Sequence, residues 1–242
     1  MTINIHDSVG LIVAKNLQTA AVFEQVGVDF CNQSRLPLIA LCEENELDIG
    51  KIKAELEKIP CPKHGDQPSF ISMPLDELCD YIVTNHHDYL YRSVPGMKHL
   101  LCEAVNERKQ NSPELNEAFD DFIKFENIMY RHLELEEKEY FPFISNLVAA
   151  SSGHFSSDEW NKSAVEYVAV LEDDHRNANG FVNSVCQLIK HDNLKKNASE
   201  SCLKFAEKMK ELQKDIHLHI ILEDCILQPG SIRLEKDILI NY

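Results

Sequence analysis

Two stretches of the chain share one pattern: His132-Leu-Glu-Leu-Glu136-Glu-Lys-Glu-Tyr-Phe-Pro142 and His219-Ile-Ile-Leu-Glu223-Asp-Cys-Ile-Leu-Gln-Pro229. Each contains a His, a Glu four residues later and a Pro six residues after that Glu. In a helix, residues four positions apart lie one turn apart on the same face. Each stretch therefore predicts a helix that presents an imidazole and a carboxylate side by side.

The residues around both pairs follow the spacing of a helix with one buried face, because apolar residues recur every three or four positions. One such stripe consists of Phe125, Met129, His132, Glu136, Tyr140 and Phe143. The other consists of Phe205, Met209, Leu212, Ile216, His219, Glu223 and Ile226. Both His/Glu pairs are therefore predicted to point into an apolar core.

Two further helical patterns each place one His on an apolar stripe. His87 shares its stripe with Val83, Leu90, Val94, Met97 and Leu101. His175 shares its stripe with Val168, Leu171, Ala178, Val182, Val185 and Ile189. Neighbouring residues of a helix differ by about 100° in direction, so His86 should point away from the core. Four His residues are expected to face solvent or a loop: His86, His99, His191 and His217.

These patterns predict four long helices over about 74–110, 112–149, 156–190 and 199–227. Pro95-Gly96 should kink or interrupt the first helix, and Pro229-Gly230 should end the fourth. Short polar loops between amphipathic helices favour an antiparallel four-helix bundle. Residues 8–59 instead resemble several short helices, and a segment rich in Pro follows them. We therefore expect an all-α chain with a small helical domain over 1–60, a linker over 61–73 and the bundle over 74–242.

Composition supports this interpretation and excludes several classes of protein. The chain has 242 residues, of which 8 are Gly and 9 are Pro, so the many tight turns of an all-β fold are not expected. A formal charge of −16 disfavours nucleic acid and anionic membrane as partners. The sequence lacks a transmembrane run and a signal peptide, which favours a cytoplasmic location. The 8 Cys form no Cys-x-x-Cys motif, and buried free thiols are expected.

A metal centre explains the polar residues of the predicted core best. Burying two carboxylates without compensation is costly, and bound cations remove that cost. Mixed imidazole and carboxylate ligands suit iron, while manganese and zinc remain open. The alternative for any single residue is a hydrogen-bonded core His or a surface His/Glu pair. Ferritin-like di-iron sites use Glu-x-x-His, and only Glu172-x-x-His175 has that spacing here, which disfavours that fold.

The predicted bundle resembles hemerythrin-like di-iron domains. From about residue 8 to about residue 230 the chain resembles the iron–sulfur cluster repair di-iron family, also called repair of iron centres. The first-helix motif of that family resembles Asn85-His86-His87-Asp88, and the third-helix motif resembles Glu172-Asp-Asp-His175. Residues 23–31 and 38–57 resemble its small ScdA-like N-terminal domain. There the family usually has two adjacent Cys and two Gly, whereas this chain has Cys31-Asn32-Gln33-Ser34.

The resemblance implies two non-haem iron ions with a bridging oxo or hydroxo group. The ligands carried over to this sequence are His87, His132, Glu136, His175, His219 and Glu223, with both Glu residues as bridges. The implied function is repair of iron–sulfur clusters after nitrosative or oxidative stress, including in some members the reduction of nitric oxide to nitrous oxide. Cys31 is either an auxiliary thiol, as a metal ligand or a redox group, or simply a small apolar residue after Phe30, and both alternatives stay open.

Two other functions stay open at this point. One is an oxygen or nitric oxide carrier or sensor without turnover, and the other is an iron donor to proteins that lack their cluster. The expected partners are nitric oxide or oxygen as small ligand and iron–sulfur proteins as clients. A homodimer is also open.

Overall fold

The computed structural model describes residues 2–62, 68–107, 112–153, 161–190 and 198–241. These residues form an all-α structure, as predicted, and contain no β-strand beyond a single bridge between Ser8 and Pro37. The four-helix bundle itself stays a prediction. None of the helices among these residues is long and apolar enough to cross a membrane.

Short helices make up the first 60 residues, and local signals set their ends. They are α1 (Val9–Lys15), α2 (Ala20–Gln25), α3 (Leu38–Glu44) and α4 (Ile49–Lys58). The Ser8 hydroxyl accepts from the Leu11 backbone N–H at the start of α1, and Asp48 caps α4 in the same way. Gly27, with φ 74°, ends α2, because a left-handed backbone is easy only for glycine.

Four long helical stretches follow, and three of them contain a π-helical segment. The first joins α5 (Leu75–Ile82), π1 (Val83–His87) and α6 (Asp88–Glu107). The second joins α7 (Pro113–Leu135), π2 (Glu136–Tyr140) and α8 (Phe141–Ser151). The third is α9 (Ala164–Ile189). The fourth joins α10 (Glu200–Leu222), π3 (Glu223–Leu227) and α11 (Gln228–Asn241).

Neither Pro95 nor Pro229 interrupts its helix, which contradicts part of one prediction and all of another, while a kink at Pro95 stays a prediction. Pro95 lies inside α6 without interrupting it, on an exposed side where water can bond the carbonyl that a proline leaves without a donor. Pro229 does not end the fourth helix, which continues to Asn241. It is the second residue of α11, directly after π3, and Pro is tolerated in the first turn of a helix. The predicted start of the third helix at residues 156–160 lies outside the described residues.

The chain divides into two compact units. The first unit comprises Met1–Cys79, Ile144–Ala164 and Leu218–Tyr242, and the second comprises Asp80–Phe143 and Val165–His217. The predicted domain boundary at residues 61–73 stays a prediction. In the first unit, apolar residues of α1 to α4 form one core that includes Ile221 of α10. In the second, the rings of Phe122 and Phe205 meet edge to face at 5.5 Å within the core.

A close backbone approach in the first unit brings α1 against π3. Gly10 lies so near Cys225 that a Cβ at position 10 would be 2.1 Å from the Cys225 Sγ. The Arg35 guanidinium donates to the Gln228 Oε1 at 2.9 Å and lies 3.9 Å from the Asp224 carboxylate. The short N-terminal helices therefore pack directly on the segment that begins with Glu223.

Candidate metal centre

Each of the three π-helical segments contains a predicted metal ligand. His87 is the last residue of π1, Glu136 is the first of π2, and Glu223 is the first of π3. A π-turn adds a residue to the helix and widens it locally, and such turns occur frequently at functional sites. The predicted stripes assumed a regular α-helix, so the sequence analysis missed these segments.

In the second unit, Glu136 is the centre of a cluster of imidazoles. Its side chain is fully buried, and its Oε2 lies 3.3 Å from the Nε2 of His87 and 3.2 Å from the Nε2 of His132. The Nε2 of His175 lies 3.2 Å from the Nε2 of His132. Three rings from three helices thus turn the same nitrogen toward one small region, and a carboxylate faces two of them.

In the first unit, His219 and Glu223 form the second predicted pair. The His219 Nε2 lies 2.6 Å from the Glu223 Oε1, and both side chains are fully buried. This pair has the i, i+4 spacing of His132 and Glu136, with the ligand nitrogen and the carboxylate in direct contact. The structure therefore confirms that both predicted pairs are buried in apolar surroundings.

The donor atoms fit a metal ion. In the second unit three imidazole nitrogens and one carboxylate lie close together, and in the first unit one imidazole nitrogen lies against one carboxylate. The donors are imidazole nitrogens and carboxylate oxygens, a mixture that suits iron. A cation would also offset the desolvation of Glu136 and Glu223, which is costly for buried carboxylates. The residues present thus fit the group that the resemblance implies.

Carboxylates also lie on the outer side of two of these rings. The Nδ1 of His87 is 2.9 Å from the Glu137 Oε1, and the Nδ1 of His132 is 3.9 Å from the Asp174 Oδ2. Arg131 donates to the other oxygen of Asp174. Metal-binding imidazoles usually have such a partner on the nitrogen that does not bind the metal. The Asp174 side chain is buried.

The prediction for His86 was wrong. His86 is buried, and its Nδ1 lies 2.8 Å from the Asp215 Oδ1. It belongs to π1, where the wider turn lets two neighbouring residues, His86 and His87, both point inward. His217 is half-buried against Asn179, whose Oδ1 lies 3.1 Å from its Nε2. His99 is exposed, as predicted, and His191 lies outside the described residues.

Cys31 is buried and keeps its proton at neutral pH. Burial raises the pKa of its thiol well above the usual value, and the negative charges of Asp224 and Asp29 raise it further. Of the other described cysteines, Cys42, Cys79, Cys186 and Cys202 are buried free thiols, as expected, whereas Cys61 and Cys102 are exposed. A role of Cys31 as auxiliary thiol stays a prediction, in an environment that favours the neutral thiol.

Sequence analysis did not single out Glu137, which contacts the outer nitrogen of His87, or Asp215, which contacts His86. One signal was available for Glu137, namely its position directly after a predicted ligand. No sequence signal distinguished Asp215 from the other acidic residues of α10.

Comparison with known proteins agrees with this arrangement. Residues 5–60 match ScdA_N, a domain of unknown function (DUF542). The chain is 19% identical to the iron-sulfur cluster repair protein ScdA of Staphylococcus haemolyticus over 86% of this chain and 90% of that protein. It is 24% identical to the iron-sulfur cluster repair protein YtfE of Escherichia coli over 89% of this chain and 91% of that protein.

The similarity to YtfE extends to a second organism. The YtfE protein of Pectobacterium atrosepticum is 23% identical over 94% of this chain and 97% of its own length. The chain therefore carries an ScdA_N domain and, over most of its length, is similar to the iron-sulfur cluster repair proteins ScdA and YtfE.

Proposed function

We propose that this chain is a non-haem di-iron protein that repairs damaged iron–sulfur clusters. The observation that carries the proposal is the buried Glu136 carboxylate, which lies within 3.3 Å of the Nε2 atoms of His87 and His132. The names of its relatives supply the cellular task, because ScdA and YtfE are called iron-sulfur cluster repair proteins.

The proposed ligands of the two irons are His87, His132, Glu136, His175, His219 and Glu223. Glu136 and Glu223 are the proposed bridges, since a carboxylate has two oxygens and can bind two ions at once. An oxo or hydroxo group completes the bridge in the proposal. Bound there, the iron pair would supply redox chemistry and open positions for diatomic ligands.

The protein residues hold the donors in place and exclude water. His87, His132, Glu136, His219 and Glu223 have no exposed side-chain surface, so charged donors remain in a medium of low dielectric constant. The apolar residues around them prevent the carboxylates from turning toward solvent. Six protein donors would leave some coordination positions of the two irons open, and nitric oxide is small enough to bind there.

The proposal includes one specific reaction, the reduction of nitric oxide to nitrous oxide. Two molecules of nitric oxide take up two electrons and two protons and give nitrous oxide and water. Holding both molecules at one centre would lower the entropic part of the activation barrier to their coupling. An external donor must supply the electrons, and the expected location of this activity is the cytoplasm.

The first experiment measures iron in freshly purified protein, together with its near-ultraviolet and visible absorption. We expect about two irons per chain and charge-transfer bands of a bridged pair. If protein that has not been exposed to a chelator contains one zinc ion or no metal, the proposal is contradicted.

The second experiment measures repair itself. A [4Fe–4S] enzyme damaged with nitric oxide is incubated with the iron-loaded protein, and recovery of its activity is followed. Glu136→Ala is the negative variant, and Glu134→Gln, an exposed residue of the same helix, is the control. Recovery without nitrous oxide formation would support repair alone, while iron transfer to an apo-protein would favour an iron donor.

A further inference from the structure

Glu137 contacts the Nδ1 of His87, the ring nitrogen that faces away from Glu136. Its Oε1 lies 2.9 Å from the His87 Nδ1, while the Nε2 of the same ring faces Glu136 at 3.3 Å. An ionised carboxylate can only accept a hydrogen bond, so the Nδ1 must carry the proton. The Nε2, which faces Glu136, is then the ring nitrogen left to bind a metal ion.

Two further contacts fix this arrangement. The ring of Phe141 stacks on the His87 ring with centroids 5.6 Å apart and an interplanar angle of 18°. The Tyr91 hydroxyl is hydrogen-bonded to Glu137, and burial together with the Glu137 charge raises the pKa of Tyr91 to about 12. Tyr91 follows His87 by four residues, so both Glu137 partners lie on the same face of the first long helix.

The π2 segment provides this carboxylate next to Glu136. Glu136 and Glu137 are its first two residues, and they contact opposite nitrogens of the same imidazole. The Glu137 side chain is 33% exposed, whereas that of Glu136 is fully buried. One short segment therefore supplies both an inner carboxylate and an outer one.

We propose that Glu137 is a positioning residue of the metal centre, which selects the Nδ1–H tautomer of His87 and orients its Nε2 toward the metal, with Tyr91 holding Glu137 in place. This inference rests on the proposed function, since it concerns a ligand of the proposed centre. Partners of this kind typically change metal affinity by about 10- to 100-fold when they are removed.

The test compares Glu137→Ala, Glu137→Gln and Glu134→Gln. Glu134 lies near Tyr91 and pairs with Lys138 on the surface, so its variant removes a nearby charge without touching His87. The readout is the rate at which a chelator removes iron from the loaded protein. We expect release about 10- to 100-fold faster in Glu137→Ala, a smaller change in Glu137→Gln, whose amide oxygen can still accept from Nδ1, and the wild-type rate in Glu134→Gln.

A second readout does not require iron. Nitrogen NMR of the metal-free protein, with the His87 signals assigned through a His87→Gln variant, reports which ring nitrogen carries the proton. We expect Nδ1 to carry a proton in the wild type and in Glu134→Gln, and a smaller fraction of Nδ1-protonated ring in Glu137→Ala. A wild-type release rate and an unchanged tautomer in Glu137→Ala would overturn the proposal. A wild type that binds no iron would overturn the proposed function, while the tautomer still decides whether Glu137 positions His87.

Discussion

A buried carboxylate defines this protein at the scale of single residues. Glu136 is fully buried, and the Nε2 atoms of His87 and His132 lie 3.3 and 3.2 Å from its Oε2. Burial of a charge is tolerated only where a compensating charge or hydrogen bond is present. The i, i+4 pairs with His on apolar stripes allowed the sequence to predict both buried Glu residues correctly.

The first prediction concerns Glu136. Glu136→Ala removes the carboxylate between His87 and His132, so iron should fall well below the amount that the wild type binds. Metal analysis by mass spectrometry after identical purification measures this. Glu134→Gln should retain the wild-type iron content, because exposed ion pairs contribute little. If Glu136→Ala still carries the full iron complement, the ligand assignment is wrong.

The second prediction concerns the titration of Tyr91. Its pKa is raised from 10.0 to about 12, chiefly by burial and then by the charge and hydrogen bond of Glu137. Between these values the unfolded chain loses the proton and the folded chain keeps it. The stabilisation is therefore complete below pH about 10 and is lost as the pH rises through about 12.

The tyrosinate absorption measures that titration. Tyr91→Phe should remove a component that titrates near pH 12, and Glu137→Gln should move that component part of the way toward the ordinary value, because burial remains. An unchanged high-pH component in Glu137→Gln would show that Glu137 does not contact this hydroxyl.

At the scale of the elements, the π-turns and one close helix contact determine the geometry. The wide turns at π1, π2 and π3 each coincide with a predicted ligand and change which neighbouring residues point inward. In the first unit, the absence of a side chain at Gly10 lets α1 approach the Cys225 side chain of π3.

The third prediction tests this contact. In Gly10→Ala, the new Cβ would lie 2.1 Å from the Cys225 Sγ, and overpacking of this kind typically costs about 1–3 kcal/mol. The double variant with Cys225→Ala should recover part of the loss, since only contacts of 3.1 Å or longer remain. Urea unfolding measures the free energy of each variant.

Gly96 offers a matched control for that experiment. It lies in α6, and a Cβ there would meet no atom within 4 Å. Gly96→Ala should therefore stabilise the helix by about 0.5–1 kcal/mol, which is the usual difference between these residues in a helix. Equal effects at positions 10 and 96 would show that α1 does not approach Cys225 closely.

The fourth prediction concerns the start of α9. The Glu235 Oε2 accepts a hydrogen bond from the Ala164 backbone N–H at 3.1 Å, so a residue of α11 caps a helix 71 positions earlier in the chain. Glu235→Ala should cost about 1 kcal/mol, as the loss of a helix cap does. Hydrogen exchange at the first turn of α9 should accelerate, while the middle of α6 should not change.

At the scale of the whole molecule, metal binding should contribute to stability. A ligand that binds only the folded chain stabilises it, by about 3 kcal/mol at a free concentration of about 100 times Kd. The fifth prediction is that removing iron with a chelator lowers the Tm of the wild type and leaves the Tm of Glu136→Ala unchanged. Calorimetry measures both Tm values. An equal decrease in both proteins would show that the metal stabilises the chain at some place other than the proposed centre.

The sequence by itself determined the all-α class, the approximate positions of the long helices and the burial of His87, His132, Glu136, His175, His219 and Glu223. Helical periodicity is local, and a polar residue on an apolar stripe is visible without the fold. The tertiary structure decided the π-turns, the burial of His86, the outer partner Glu137, the continuation of the last helix to Asn241 and the contact of Gly10 with Cys225. These depend on which atoms of distant segments meet, and the spacing of residues along the chain carries no information about such contacts.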